Sequence, residues 1–166
     1  KIPDKLVVLT FDDCNKSDRS FVAEELKKHG FGATFYVTEG LGFLQNKNHY
    51  VTWDEIVELH EMGFEIGNHT RSHPHMPRLS KEQMRGELLH IEKRCSEHKI
   101  PRPVTFCYPG FGHSPKCVEV LGEMKYLFAR RGVGPEFKDG GKGGRGPAYD
   151  PREDHPLLVP TNGYAG

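Results

Sequence analysis

The chain has 166 residues, enough for one domain with a core of its own and short of two. Its composition, 36% hydrophobic and 28% charged, is that of an ordinary globular protein, and no apolar run approaches the ~20 residues of a membrane-spanning helix. Lys plus Arg and Asp plus Glu each number 23, so no single-sign field exists to gather nucleic acid or an anionic surface.

The first residues, from Lys1 to Lys5, contain neither an initiator Met nor a signal peptide, which leaves secreted, periplasmic and cytoplasmic locations all open. Cys14, Cys95, Cys107 and Cys117 allow three pairings, but a chain this well supplied with apolar residues needs no disulfide framework, and no CxxC spacing suggests a zinc-thiolate site.

Leu6 to Phe11 is a short apolar run rich in β-branched residues that reads as a strand covered on both faces, stopping at Asp12 and Asp13. Ser17 to His29 is helical in pattern, with Val22 and Leu26 four apart and Gly30 at the stop position. Ala33 to Val37 is a second strand. Thr52 and Glu55 have capping-box spacing and open a helix carrying Ile56, Val57 and Leu59, closed at Gly63. Phe64 to Gly67 is a third strand, running into His69 and His73. Ser80 and Gln83 form another capping box, after which Met84, Leu88, Ile91 and Cys95 mark one face of a helix reaching about His98. Val104 to Tyr108 is a fourth strand, ended by the Pro109 to Gly112 turn. Ser114 and Pro115 begin a helix with Val118 and Leu121 facing inward, and Tyr126 to Ala129 is a fifth strand. The Gly- and Pro-rich stretch within residues 131–156 reads as a long loop inside a single domain spanning 1–166. Leu157 to Pro160 is a possible last strand.

Alternating strands and helices imply a parallel sheet, open or closed into a barrel, whose working rim lies at the strands' C-terminal ends. Asp12, Asp13, His69, His73 and the Pro109 turn would share that rim. Two histidines and one carboxylate give a divalent cation three ligands and leave positions for water and substrate. A second carboxylate left uncoordinated can then act as general base toward water acidified by the cation, so metal-assisted hydrolysis is the expected chemistry. Each feature alone is weak. Asp is common in turns, ten histidines produce an HxxxH spacing by chance, His75 rivals either partner, and Pro74 places the pair on a loop. Other chemistries fit worse: Gly141 to Gly146 matches GxGxxG without a preceding strand, and no GxSxG elbow is present.

Thr10 to Asp13, Ala33 to Val37, Gly63 to Thr70 with Ser72 and His73, and Phe106 to Gly110 together resemble the polysaccharide deacetylase family, in order from about Leu6 to about Ala129. The resemblance implies a distorted seven-stranded (β/α) barrel that removes acetyl groups from N-acetylated sugars of a polysaccharide or peptidoglycan. It implies Asp12 as general base and Asp13, His69 and His73 as ligands of a divalent metal, zinc first, with cobalt, manganese or nickel as alternatives. Thr70, Tyr108 and Gly110 are the implied supporting residues, Thr70 by orienting the metal site and a backbone N–H near Gly110 by stabilising the oxyanion. A carbohydrate is the implied partner; the oligomeric state is not implied.

Two departures stand out. Many family members carry, at the position of Cys107, an Arg that pairs with the catalytic Asp. The family's last motif also supplies a His two residues after a Leu, and no His follows Leu158. The chain is accordingly expected to lack the C-terminal part of its barrel. The alternatives are a member that binds metal and glycan without cleaving, or a hydrolase of O-acetyl or non-sugar amide groups.

Overall fold

The computed structural model describes residues 6–133 and 148–161. Five short strands, β1 (Thr10–Asp12), β2 (Thr34–Val37), β3 (Glu65–Asn68), β4 (Thr105–Cys107) and β5 (Phe128–Arg130), alternate with helices α1 (Ala23–Lys28), α2 (Trp53–Glu61), α3 (Lys81–Glu97) and α4 (Pro115–Glu123). Every strand pair is parallel, and the order across the sheet is the order along the chain. That order separates two architectures which alternation left open. A doubly wound sheet reverses direction at a switch point, whereas right-handed crossovers that always step the same way put the helices on one face and curl the other face inward. The arrangement is therefore a part-barrel of five strands, and Val159 extends it by one bridge beside Arg130.

Local sequence explains the helices. Thr52 and Ser80 each accept a hydrogen bond from the backbone of the third helical residue, and Glu55 and Gln83 reach back to complete both capping boxes. Ser114 caps α4, with Pro115 at its first position. The helices and the outward residues of the strands make two apolar clusters. Phe35, Val37 and Ile66 meet Ala23, Leu26, Ile56 and Leu59 in one, while Phe106 and Ala129 meet Met84, Leu88, Cys117, Val120 and Leu121 in the other. All four cysteines are free and buried. Among the described residues no helix is long and apolar enough to cross a membrane.

Four sequence expectations change. The run before Asp12 is not covered on both faces: Leu6, Val7 and Val8 are exposed and only Thr10–Asp12 pairs, because β1 is an edge strand. The first helix begins with a π-helical turn over Asp18–Val22 and becomes α-helical at Ala23. In α4 the inward residues are Cys117, Val120 and Leu121, with Val118 only partly buried. Leu157 to Pro160 is a 3-10 turn over Pro156–Leu158 followed by the bridge at Val159, with buried Arg131 donating from Nε to the Leu158 carbonyl at 2.8 Å. Residues 134–147 of the expected long loop lie outside the described residues.

The inward face of the strands is polar. The Glu65 carboxylate accepts from Thr34 Oγ1 and Thr105 Oγ1, and the Tyr36 ring lies over Gly67, where a Cβ would stand 2.4 Å from two ring carbons. Gly67→Ala must therefore push Tyr36 aside. It should cost about 1–3 kcal/mol of stability, read by thermal or denaturant unfolding.

Asp18 is buried at the start of the π-helical turn, and that burial pushes its carboxyl up to about 7. A raised carboxyl keeps its proton in the folded state, so its contribution is complete below pH ~4 and lost as pH rises through ~7. Asp18→Asn should melt higher than the parent protein above pH 7, and the two melting temperatures should converge near pH 4.

Candidate active site

The site is built from turns at the ends of β1, β3 and β4. Asp12 is the last residue of β1, and the chain then turns through Asp13 (φ 72°) and Cys14 (φ 60°), both left-handed. The Asn15 side chain closes this turn by donating to the Asp12 carbonyl at 3.1 Å. At the end of β3 the fully buried Asn68 donates to the Leu88 carbonyl at 3.0 Å and contacts the Tyr126 hydroxyl at 2.7 Å, while its Oδ1 accepts the Thr70 N–H at 2.9 Å. Thr70, at φ 67°, accepts the His73 N–H on its Oγ1 at 3.1 Å. This turn folds His73 back against His69, with ring centroids 4.9 Å apart. The end of β2 braces it from outside: Glu39 N–H donates to the Arg71 carbonyl at 3.0 Å, and Gly40 packs so closely that a Cβ would lie 2.8 Å from the Ser72 carbonyl carbon.

His69 Nδ1 lies 2.7 Å from the Cys107 carbonyl. A carbonyl only accepts, so Nδ1 carries the proton and the Nε2 lone pair faces the site. Nε2 is 3.3 Å from Asp13 Oδ1, and His73 Nε2 is 3.4 Å from the same oxygen. Asp13 Oδ1 is buried and has no hydrogen-bond partner among the described residues. A carboxylate oxygen and the His69 lone pair repel each other unless a cation sits between them, and His73 Nε2 faces the same oxygen as a third donor, so these residues fit a divalent metal. His69 beside it holds the Asp13 carboxyl below the usual carboxylate range, against the opposite pull of burial. Burial, and then the proximity of His69, lowers His73 and favours the neutral imidazole that ligation requires.

Asp12 has other partners. Its Oδ2 is ion-paired with Arg130 Nη2, which also lies 2.9 Å from Cys107 Sγ, and that sulfur is 3.5 Å from the same Oδ2. The Tyr36 and Phe111 rings flank the guanidinium, with centroids 5.8 and 5.9 Å from its central carbon. Burial and the adjacent Asp12 push the Cys107 thiol well up, so it stands here as an uncharged thiol. Asp12 Oδ1 is buried and unpartnered among the described residues. Tyr108 is part of the core, where its hydroxyl donates to the Leu157 carbonyl at 3.0 Å and its N–H to the Arg130 carbonyl at 3.1 Å. Gly110 (φ 56°) is exposed on the 3-10 turn Pro109–Phe111.

The family model described as polysaccharide deacetylase matches residues 1–129. The chain belongs to the polysaccharide deacetylase family. It is 30% identical over 110 residues to the peptidoglycan-N-acetylglucosamine deacetylase of Bacillus cereus, an alignment covering 64% of this chain and 47% of that relative. It is also 30% identical over 140 residues to the peptidoglycan-N-acetylmuramic acid deacetylase PdaC of Bacillus subtilis, covering 83% of this chain and 28% of that one. The chain spans less than half the length of both. Among solved structures it is similar to the Streptococcus pyogenes deacetylase PplD in complex with acetate, with a TM-score of 0.72, 20% identity and coverage of 80% of this chain and 58% of that chain. It is similar too to a de-N-acetylase from Aggregatibacter actinomycetemcomitans, with a TM-score of 0.71, 16% identity and coverage of 96% and 70%. At such identities the solved structures establish the fold, the family's (β/α) barrel.

Asp12, Asp13, His69 and His73 thus lie together, with Thr70 shaping their turn. Sequence reasoning missed Arg130, one residue beyond the family match, and Asn68. A signal for Arg130 existed: it follows Phe128 by two residues at a strand's C-terminal end, which places it on the inward face of the same rim. If Thr70 sets the ligand geometry through its hydroxyl, Thr70→Ala should weaken zinc binding about 10–100-fold in a chelator competition titration, and Thr70→Ser should retain it.

Proposed function

We propose that the protein is a metal-dependent hydrolase that removes acetyl groups from N-acetylated sugars of a polysaccharide or peptidoglycan. Asp12 acts as general base, and Asp13, His69 and His73 hold the cation, zinc in the first instance and cobalt, manganese or nickel otherwise. The observation that carries this reading is the buried, unpartnered Asp13 Oδ1 facing both Nε2 atoms at 3.3 and 3.4 Å. The family and the peptidoglycan deacetylases similar to this chain support the substrate class.

A divalent cation bound there would polarise the acetyl carbonyl and acidify water. The chain's own residues hold the ligands and receive the proton of the attacking water on Asp12, which would then pass it to the leaving amine. His69, fixed by the Cys107 carbonyl, presents Nε2 in one orientation. Asp12 is anchored through Oδ2 by Arg130, so the unpartnered Oδ1 is the oxygen available to receive the proton from attacking water. A backbone N–H near Gly110, at the exposed end of β4, would donate to the tetrahedral oxyanion.

Asp12→Asn should lower acetate release from N-acetylglucosamine oligomers by about 100- to 10,000-fold while the protein keeps its zinc stoichiometry, measured by elemental analysis. Full activity in that variant would remove Asp12 from the role. Release from O-acetylated sugars alone would make the protein an esterase.

A further inference from the structure

Two sets of potential ligands meet at this rim, and they share His69. Asp13, His69 and His73 form one; Asp12, His69 and Cys107 form the other, and in each the ligand atoms lie within 4.8 Å of one another. The second set has carboxylate, imidazole and sulfur donors, a combination that zinc and cobalt accept readily. Nothing in the chemistry of the donors alone keeps a cation from it.

What separates the two sets is Arg130. Its Nη2 is ion-paired with Asp12 Oδ2 and lies 2.9 Å from Cys107 Sγ, so one nitrogen covers both donors peculiar to the second set. A guanidinium is permanently charged, and a second cation placed on the same atoms would meet it at close range in a partly buried site. The placement is built in. Arg130 and Cys107 are cross-strand partners in the β4–β5 register, and the guanidinium reaches past the Cys107 sulfur to Asp12 on β1. The rings of Tyr36 and Phe111 flank it there, and the Arg130 side chain is only 12% exposed.

We infer that Arg130 is a positioning residue that keeps Asp12 and Cys107 out of the cation's coordination shell, confining the cation to Asp13, His69 and His73 and leaving Asp12 Oδ1 free to receive a proton. The inference rests on the proposed reading of Asp12 and of the Asp13, His69 and His73 ligands. A latch that merely tied β5 to β1 would make the same contacts, but it would have no effect on which atoms the metal touches.

Cobalt(II) substitution separates these roles without reference to turnover. The parent protein loaded with cobalt should show ligand-field bands and no sulfur-to-cobalt charge-transfer band. Arg130→Ala and the shorter, uncharged but polar Arg130→Gln should each gain that band as Cys107 enters the shell, and Cys107→Ser added to either should abolish it. Arg130→Lys, which keeps a cation, should resemble the parent. Acetate release in Arg130→Ala and Arg130→Gln should fall about 100-fold or more with one metal still bound. A sulfur band in the parent, or a folded Arg130→Ala or Arg130→Gln with a spectrum identical to the parent's, would overturn the inference. Asp12→Asn assayed alongside keeps the two claims apart: an active Asp12→Asn sinks the assignment of the base, whereas an inactive Asp12→Asn with an unchanged cobalt spectrum in the Arg130 variants sinks only the role of Arg130.

Discussion

The site depends on giving two carboxylates, adjacent in sequence, different partners. Asp12 and Asp13 follow one another at the end of a strand, and their mutual repulsion in a partly buried rim would be costly without compensation. Asp12 faces Arg130, reaching across from β5; Asp13 faces two imidazoles from the turn after β3. The left-handed backbone at Asp13 sends successive side chains to different neighbours.

The supporting residues divide in the same way. Asn68 and Thr70 shape the turn that makes His73 a neighbour of His69, and the end of β2 braces that turn. Tyr36, packed over Gly67, flanks the Arg130 guanidinium, and Cys107 is its cross-strand partner. Because β1 and β5 are the first and last strands in the sheet order, the Asp12–Arg130 pair also joins elements that no backbone hydrogen bond between strands connects. Loss of that pair would therefore free the Asp12 carboxylate and also remove a tie between the first and last strands of the sheet.

Much of this was legible in the sequence because it is local. Capping boxes at Thr52 and Ser80 and the apolar spacing of Met84, Leu88, Ile91 and Cys95 depend on residues three or four positions apart, and these features stand in the structure as the sequence implies. The two aspartates and two histidines were visible because they end strands. The strand-end position of Arg130 was legible but its pairing with Asp12, across 118 positions, was not, and Cys107 read as a missing arginine when an arginine from the next strand stands against both its sulfur and Asp12. Pattern also overstated the burial of Val7 and Val8, because the apolar run does not say that its strand lies at a sheet edge.

On the proposed reading the cation has three protein ligands, and Asp12 is not among them. The most direct test is a crystal structure of the zinc-loaded protein with anomalous data collected at the zinc edge. One anomalous peak is expected at about 2.0–2.2 Å from Asp13 Oδ1, His69 Nε2 and His73 Nε2, with Asp12 Oδ2 still on Arg130. A peak coordinated by Asp12 or Cys107, or no bound zinc with Asp13, His69 and His73 closed on one another by hydrogen bonds, would contradict it.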